Sequence, residues 1–223
     1  MLQLSSLQFL EDLKANNNRE WFLNNADSYE VYKKNYHQII REFLDILQPL
    51  DESLKDLEVK KCTFRIYRDI RFSKNKTPYK THMGIWFPMN TLHKNSPGYY
   101  VHIEKGNSFI GGGMWNPESE DLKKIRKEIA FFHDELNEII TDRGFKKEFG
   151  YFDVQEGSIL KTAPKDYEKD HPAIEFLKLK SFTVSHSLSN EEIISPDFIS
   201  KTAQKLLVLQ PLNHFLMRAL YDE

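Results

Sequence analysis

A chain of 223 residues, 40% hydrophobic and 29% charged, is long and apolar enough to bury a substantial core. Its formal net charge of −2 argues against a surface coated for general nucleic-acid binding, and its single cysteine, Cys62, excludes an internal disulfide and a cysteine-cluster metal site. No apolar run approaches a membrane span, and the opening MLQLSSLQFLEDLK lacks a basic start followed by an apolar stretch, so a cytoplasmic location is expected.

In chain order, Ser5 and Ser6 offer a cap for a first helix whose Leu7, Leu10 and Leu13 share a face, and Asn16–Asn18 ends it. Steps of three and four through Tyr29, Tyr32, Tyr36, Ile40, Phe43 and Leu47 predict a long buried-face helix from about Asp27 to Leu50. The period then changes. Cys62, Phe64, Ile66, Ile70 and Phe72 are set among polar residues and predict a strand, Ser73–Thr77 a loop, and Tyr79–Phe87 a further extended stretch. Tyr99–Glu104 and Ser108–Trp115 flank Lys105-Gly106-Asn107 as a β-hairpin. Asn116-Pro117 reads as the start of a helix with a stripe from Leu122 to Ile139 and an end at Gly144. Phe145–Thr162 is ambiguous. A short helix at Ala173–Leu177, a strand at Ser181–Leu188, a helix from Ser195-Pro196 to about Leu209 and a last helix or turn from Pro211 complete the order. The expectation is one α+β domain over residues 1–223: an N-terminal helical layer, a mostly antiparallel central sheet and helices packed on it.

Charge is unevenly placed. Between Lys60 and His82, eight Lys/Arg face one acid, Asp69, a local +7 against −9 for the rest. In a regular strand Arg65, Tyr67, Asp69 and Arg71 share one face, while Arg68 falls with Phe64, Ile66 and Ile70 on the other. Arg68 then requires a buried carboxylate, a bulge that redirects it, or a bound anion, because an unpaired buried guanidinium is expensive. Arginine forks suit phosphate and carboxylate oxygens, so the segment reads as one wall of an anion site. On the hairpin, His102 and Glu104 share a face, and across a sheet they and His82 can meet Arg65 and Asp69 as candidate acid–base groups. No recognised metal spacing is present, and no cofactor is implied. Gly111-Gly112-Gly113 permits a close approach by either a ligand or a neighbouring strand, and Trp115 is read as core or as an aromatic lid.

The run Arg65-x-x-Arg68-Asp69-x-Arg71-Phe72, followed by Asn75-Lys76 and Tyr79, resembles the signature of an uncharacterised family of bacterial proteins with relatives fused into larger fungal ones. Gly98–Trp115 and Lys169–Phe182 resemble its further blocks. The resemblance spans nearly the whole chain and implies no activity, because the function of the family is unknown; it marks Arg65, Arg68, Asp69, Arg71, Lys76 and Tyr79 as signature positions. Three functions stay open. One is an anion-binding protein, an enzyme on a phosphorylated or carboxylated small molecule, with Arg65, Arg68, Arg71, Lys76 and Tyr79 binding and His102, Glu104, Asp69 or His82 in acid–base roles. The others are a nucleic-acid-binding module and a domain whose Arg/Asp network only stabilises the fold.

Overall fold

The tyrosine-rich stripe folds as expected in the computed structural model, which describes residues 1–93 and 95–221, and forms α3 (Ala26–Leu47). Before it come α1 (Leu4–Ala15) and α2 (Arg19–Asn24). After it come a 3-10 turn (Glu52–Leu54), α4 (Val59–Cys62) and β1 (Met83–Pro88). β2 (Gly98–Ile103) and β3 (Ser108–Met114) form the expected hairpin. They are followed by α5 (Ser119–Phe131), α6 (His133–Thr141), α7 (Arg143–Glu148), α8 (Ile174–Leu177), β4 (Phe182–Leu188), α9 (Asn190–Ile194), α10 (Phe198–Leu207) and α11 (Gln210–Tyr221). The strands lie in the order β1-β2-β3-β4 in one antiparallel sheet, so the protein is of the α+β class. No helix among the described residues is long and apolar enough to cross a membrane.

The chain forms two compact units. The first contains Met1–Phe87, Tyr100–Ile110 and Ser187–Gln204. Here α1 packs on α3 through Phe9, whose ring centroid lies 5.2 Å from that of Tyr32, and through buried Leu10 and Leu13. The expected serine caps are not used. Buried Asn35 on α3 reaches across instead, accepting from the Gln3 N–H (3.0 Å) and the Ser6 hydroxyl (2.9 Å), so α3 satisfies a free backbone donor at the start of α1. Asn16 is the C-cap of α1, and Asn18 starts the next element, its side chain accepting from the Trp21 N–H to cap the unforeseen α2. Ser189 and Glu192 form a capping box at α9, which precedes the α10 expected from Ser195-Pro196.

The second unit is built from Pro88–Tyr99, Gly111–His186 and the described residues from Lys205 onward. Its predicted single helix from Asn116 to Gly144 is two, α5 and α6, with a third, α7, beginning at Arg143. Asn116 has φ +48° and stands outside the helix, donating its N–H to Ser181 Oγ, and α5 starts at Ser119. The chain bends at Phe132 between α5 and α6. Asp142 then accepts from the Gly144 and Phe145 N–H groups, so Gly144 opens α7 rather than closing its predecessor. Arg218 on α11 ties α5 to α6, reaching Glu128 at 2.5 Å and Glu135 at 2.6 Å, and Asn213 accepts from the Gly113 N–H at 2.9 Å.

Candidate functional site

The segment predicted as strand Cys62–Phe72 is built differently. Cys62 ends α4, buried, with Sγ 3.6 Å from the Glu58 carbonyl; burial pushes its thiol up to about 12, which removes it as a nucleophile near neutrality. Beyond it only single antiparallel bridges form, Thr63 with Ile85 and Tyr67 with Tyr79. The Arg68 N–H donates to the Pro78 carbonyl and the Lys80 N–H to that of Ile66, each at 2.8 Å, so residues 64–80 make a narrow ribbon closed by a loop. Short polar side chains stop the ladder by taking its donors: Asp69 accepts from the Arg71 N–H (3.2 Å) and Asn75 from the Thr77 N–H (2.9 Å). The expected apolar face goes with it. Ile66 is buried, but Phe64 is 45% exposed and Phe72 96% exposed.

The signature side chains therefore separate. Arg68 is half-buried with neutral partners, donating to the Thr77 carbonyl (3.0 Å), to the Thr77 hydroxyl and to Ser73 Oγ (3.5 Å). Arg71 forks onto Asp69 at 3.0 and 2.6 Å, and the guanidinium holds that exposed carboxyl below its usual range. Lys76 donates to the Ile70 carbonyl at 2.9 Å. Tyr79 is buried, stacked on Phe22 at 4.1 Å, and both its backbone groups are taken by Asn17, whose amide accepts from its N–H and donates to its carbonyl at 3.0 Å each. Only Arg65 of the group turns to an open cleft.

That cleft, of about 260 Å³, lies between α3 and the ribbon. Its lining includes Lys33, His37, Arg65, Lys80 and His82 and contains no aspartate or glutamate. Among the described residues Arg65 has no hydrogen-bonded or ionic partner, and Lys80 has only the Phe64 ring beneath it at 4.9 Å. Burial, with Arg65 beside it, lowers the Lys80 pKa. Tyr32 lines the same space. It is 4% exposed and its hydroxyl has no hydrogen bond among the described residues, whereas neighbouring Tyr36 donates to the Gly84 carbonyl and accepts from the Phe64 N–H. Burial pushes the Tyr32 pKa well up, so the hydroxyl keeps its proton to donate.

Behind the cleft the two histidines meet. The His82 and His102 rings stack at 4.3 Å. His102 is fully engaged: Nδ1 lies 3.1 Å from the Tyr100 hydroxyl and Nε2 3.5 Å from Glu104, which also accepts from Lys14 (3.0 Å) and Asn107 (3.1 Å). His82, by contrast, has no hydrogen-bonding partner among the described residues, and burial together with His102 lowers its pKa to about 4. The sheet thus joins His82, His102 and Glu104, places Arg65 on the cleft that His82 lines, and leaves Asp69 with Arg71. Among the described residues no three His, Cys, Asp or Glu side chains are grouped to hold a metal.

Sequence reasoning counted Lys80 in the basic segment without naming it as a binding residue, and passed over Tyr32 and His37 as site groups. Pairing residues about Pro78 would have brought Lys80 to Ile66; nothing in a helical stripe reveals that one of its hydroxyls faces open space. The triple glycine serves strand packing: a Cβ on Gly111 would lie 2.3 Å from the Val184 carbonyl oxygen, and one on Gly113 1.9 Å from that of Phe182. Trp115 is 72% exposed rather than core. Searches of curated proteins and of solved structures found no match. A family model matches residues 5–215, nearly the full chain and all of the ribbon and cleft. The chain belongs to the conserved hypothetical protein family DUF2461.

Proposed function

We propose that the protein binds a small anionic molecule, bearing a phosphate or a carboxylate, in the cleft between α3 and the ribbon. The observation that carries this reading is the pairing of Arg65 and Lys80 beside a cleft whose lining has no acid. Two cations kept together with no carboxylate in salt-bridge contact repel one another, and an anion between them offsets that repulsion. Tyr32 supports the same reading, because it lines the cleft, its hydroxyl bonds nothing among the described residues, and a ligand oxygen in the cleft would accept from it. In this reading Arg68, Arg71 and Lys76 shape the ribbon and Arg65 and Lys80 hold the ligand. His82 is the ring nitrogen base free to exchange a proton with it, backed by the stacked ring of His102, which Glu104 and Tyr100 hold in place. The ligand would be a cytoplasmic metabolite, and the protein an enzyme if His82 moves a proton on it.

The test is thermal unfolding with inorganic phosphate, nucleoside monophosphates and small dicarboxylates. A ligand at a hundred times its dissociation constant stabilises by about 2.7 kcal/mol, so at least one of these anions should raise the wild-type melting temperature by several degrees. Arg65→Ala should lose most of that rise. No response from the wild type to any of them, or an equal response from Arg65→Ala, overturns the proposal.

A further inference from the structure

The side chains that do not face the cleft share one task. Arg68 grips Thr77 and Ser73, Lys76 holds the Ile70 carbonyl, Arg71 clamps Asp69 and Asn75 holds Thr77, so residues 69–77 are braced almost wholly by their own polar groups. The braced loop carries Phe72 with 96% of its surface in solvent. A phenyl ring this exposed buries almost no apolar area within the chain, and a loop this heavily bonded does not let it collapse inward. From this geometry we infer that the loop is a recognition finger for single-stranded nucleic acid, with Phe72 stacking on a base and Arg71, Lys74 and Lys76 meeting the phosphates.

Charge and the placing of the aromatics select this partner. Residues 64–80 carry six Lys/Arg against the single Asp69. Arg71 is 76% exposed at its side chain, its guanidinium carbon 5.8 Å from the Phe72 ring centre, and Lys74 is exposed with no partner among the described residues. Three rings open to solvent, Phe64, Tyr67 (53% exposed) and Phe72, are strung along the ribbon, each next to an arginine in the chain, an arrangement suited to successive bases and phosphates. Insertion into a bilayer would call for apolar groups gathered at the tip, where Phe72 stands alone. A duplex keeps its base faces stacked and offers a protruding ring no platform, which leaves the single strand. This inference does not depend on the anion cleft.

Fluorescence anisotropy of labelled oligo(dT) with the full chain tests it. Three phosphate contacts predict a roughly ten- to twentyfold loss of affinity between about 50 and about 200 mM salt. Phe72→Ala should weaken binding roughly tenfold at constant salt, and Lys74→Ala should reduce the slope of log affinity on log salt by about 0.7. Both side chains stand in solvent, so unchanged melting temperatures will show the variants folded. Arg65→Ala, which empties the cleft of one cation, should keep the Phe72 dependence. Absence of oligonucleotide binding at low salt, equal binding by Phe72→Ala, or Phe72-dependent binding to phosphatidylserine vesicles in place of the oligonucleotide each overturns the inference.

Discussion

Tyr32 and Tyr36 sit one helical turn apart on α3 and are nearly equally buried, yet their hydroxyls have opposite situations. That of Tyr36 joins the Gly84 carbonyl to the Phe64 N–H and so links α3, β1 and the start of the ribbon. Tyr36→Phe should therefore cost about 1–3 kcal/mol, because two partly buried backbone groups lose their partner. Tyr32→Phe removes a hydroxyl that bonds nothing in the described chain and should change stability by less than about 0.5 kcal/mol. Urea unfolding of both variants without added anion measures the difference; an equal loss for Tyr32→Phe would mean that its hydroxyl already has a strong partner. The same comparison marks what a sequence can express. Periodicity reports that both tyrosines face inward, but a hydroxyl's partner is set by backbone groups some thirty to fifty positions away.

Among the elements, β3 and β4 approach so closely that Gly113, at φ +98°, has the Phe182 carbonyl where a side chain would begin. Gly113→Ala should destabilise by several kcal/mol through both clash and backbone strain. Gly106, at φ +77° in the hairpin turn with open space around it, should tolerate alanine at a cost of about 1–2 kcal/mol. Thermal unfolding of the pair separates close packing from turn strain, and similar losses would refute the distinction. Elements whose signal is a long stripe or an isolated apolar run, such as α3, the β2–β3 hairpin and β4, were legible in the sequence. The ribbon was not, since alternation at Cys62–Phe72 describes a strand only if a neighbour pairs along it, and Asp69 and Asn75 divert those donors into local turns. The α5–α6 bend was hidden for a related reason: Phe132 continues the apolar stripe while its backbone leaves the helix. For the candidate site, the charge excess and the His82–His102–Glu104 grouping were readable, whereas the division of arginines between ribbon and cleft depended on that irregular path.

For the molecule as a whole, the buried histidines make stability depend on acidity in a defined direction. His82 has an ordinary pKa of 6.5 when unfolded and about 4 when folded, so between those values the unfolded chain binds a proton that the folded chain refuses. Stability falls as pH drops from about 6.5 toward 4, and burial moves His102 and His37 in the same direction. Melting temperatures measured from pH 7 down to pH 4.5 should fall, and His82→Asn should flatten the decline; a decline as steep in that variant would remove His82 as a source. A further consequence at this scale comes from Asn17. Tyr79 turns its backbone N–H and C=O away from residues 66–68, and the Asn17 amide occupies both, acting as a one-residue substitute for an outer strand. The outer side of the ribbon at Tyr79 is thereby closed to pairing, so a segment rich in β-branched and aromatic neighbours offers no template there for a second chain to extend the sheet.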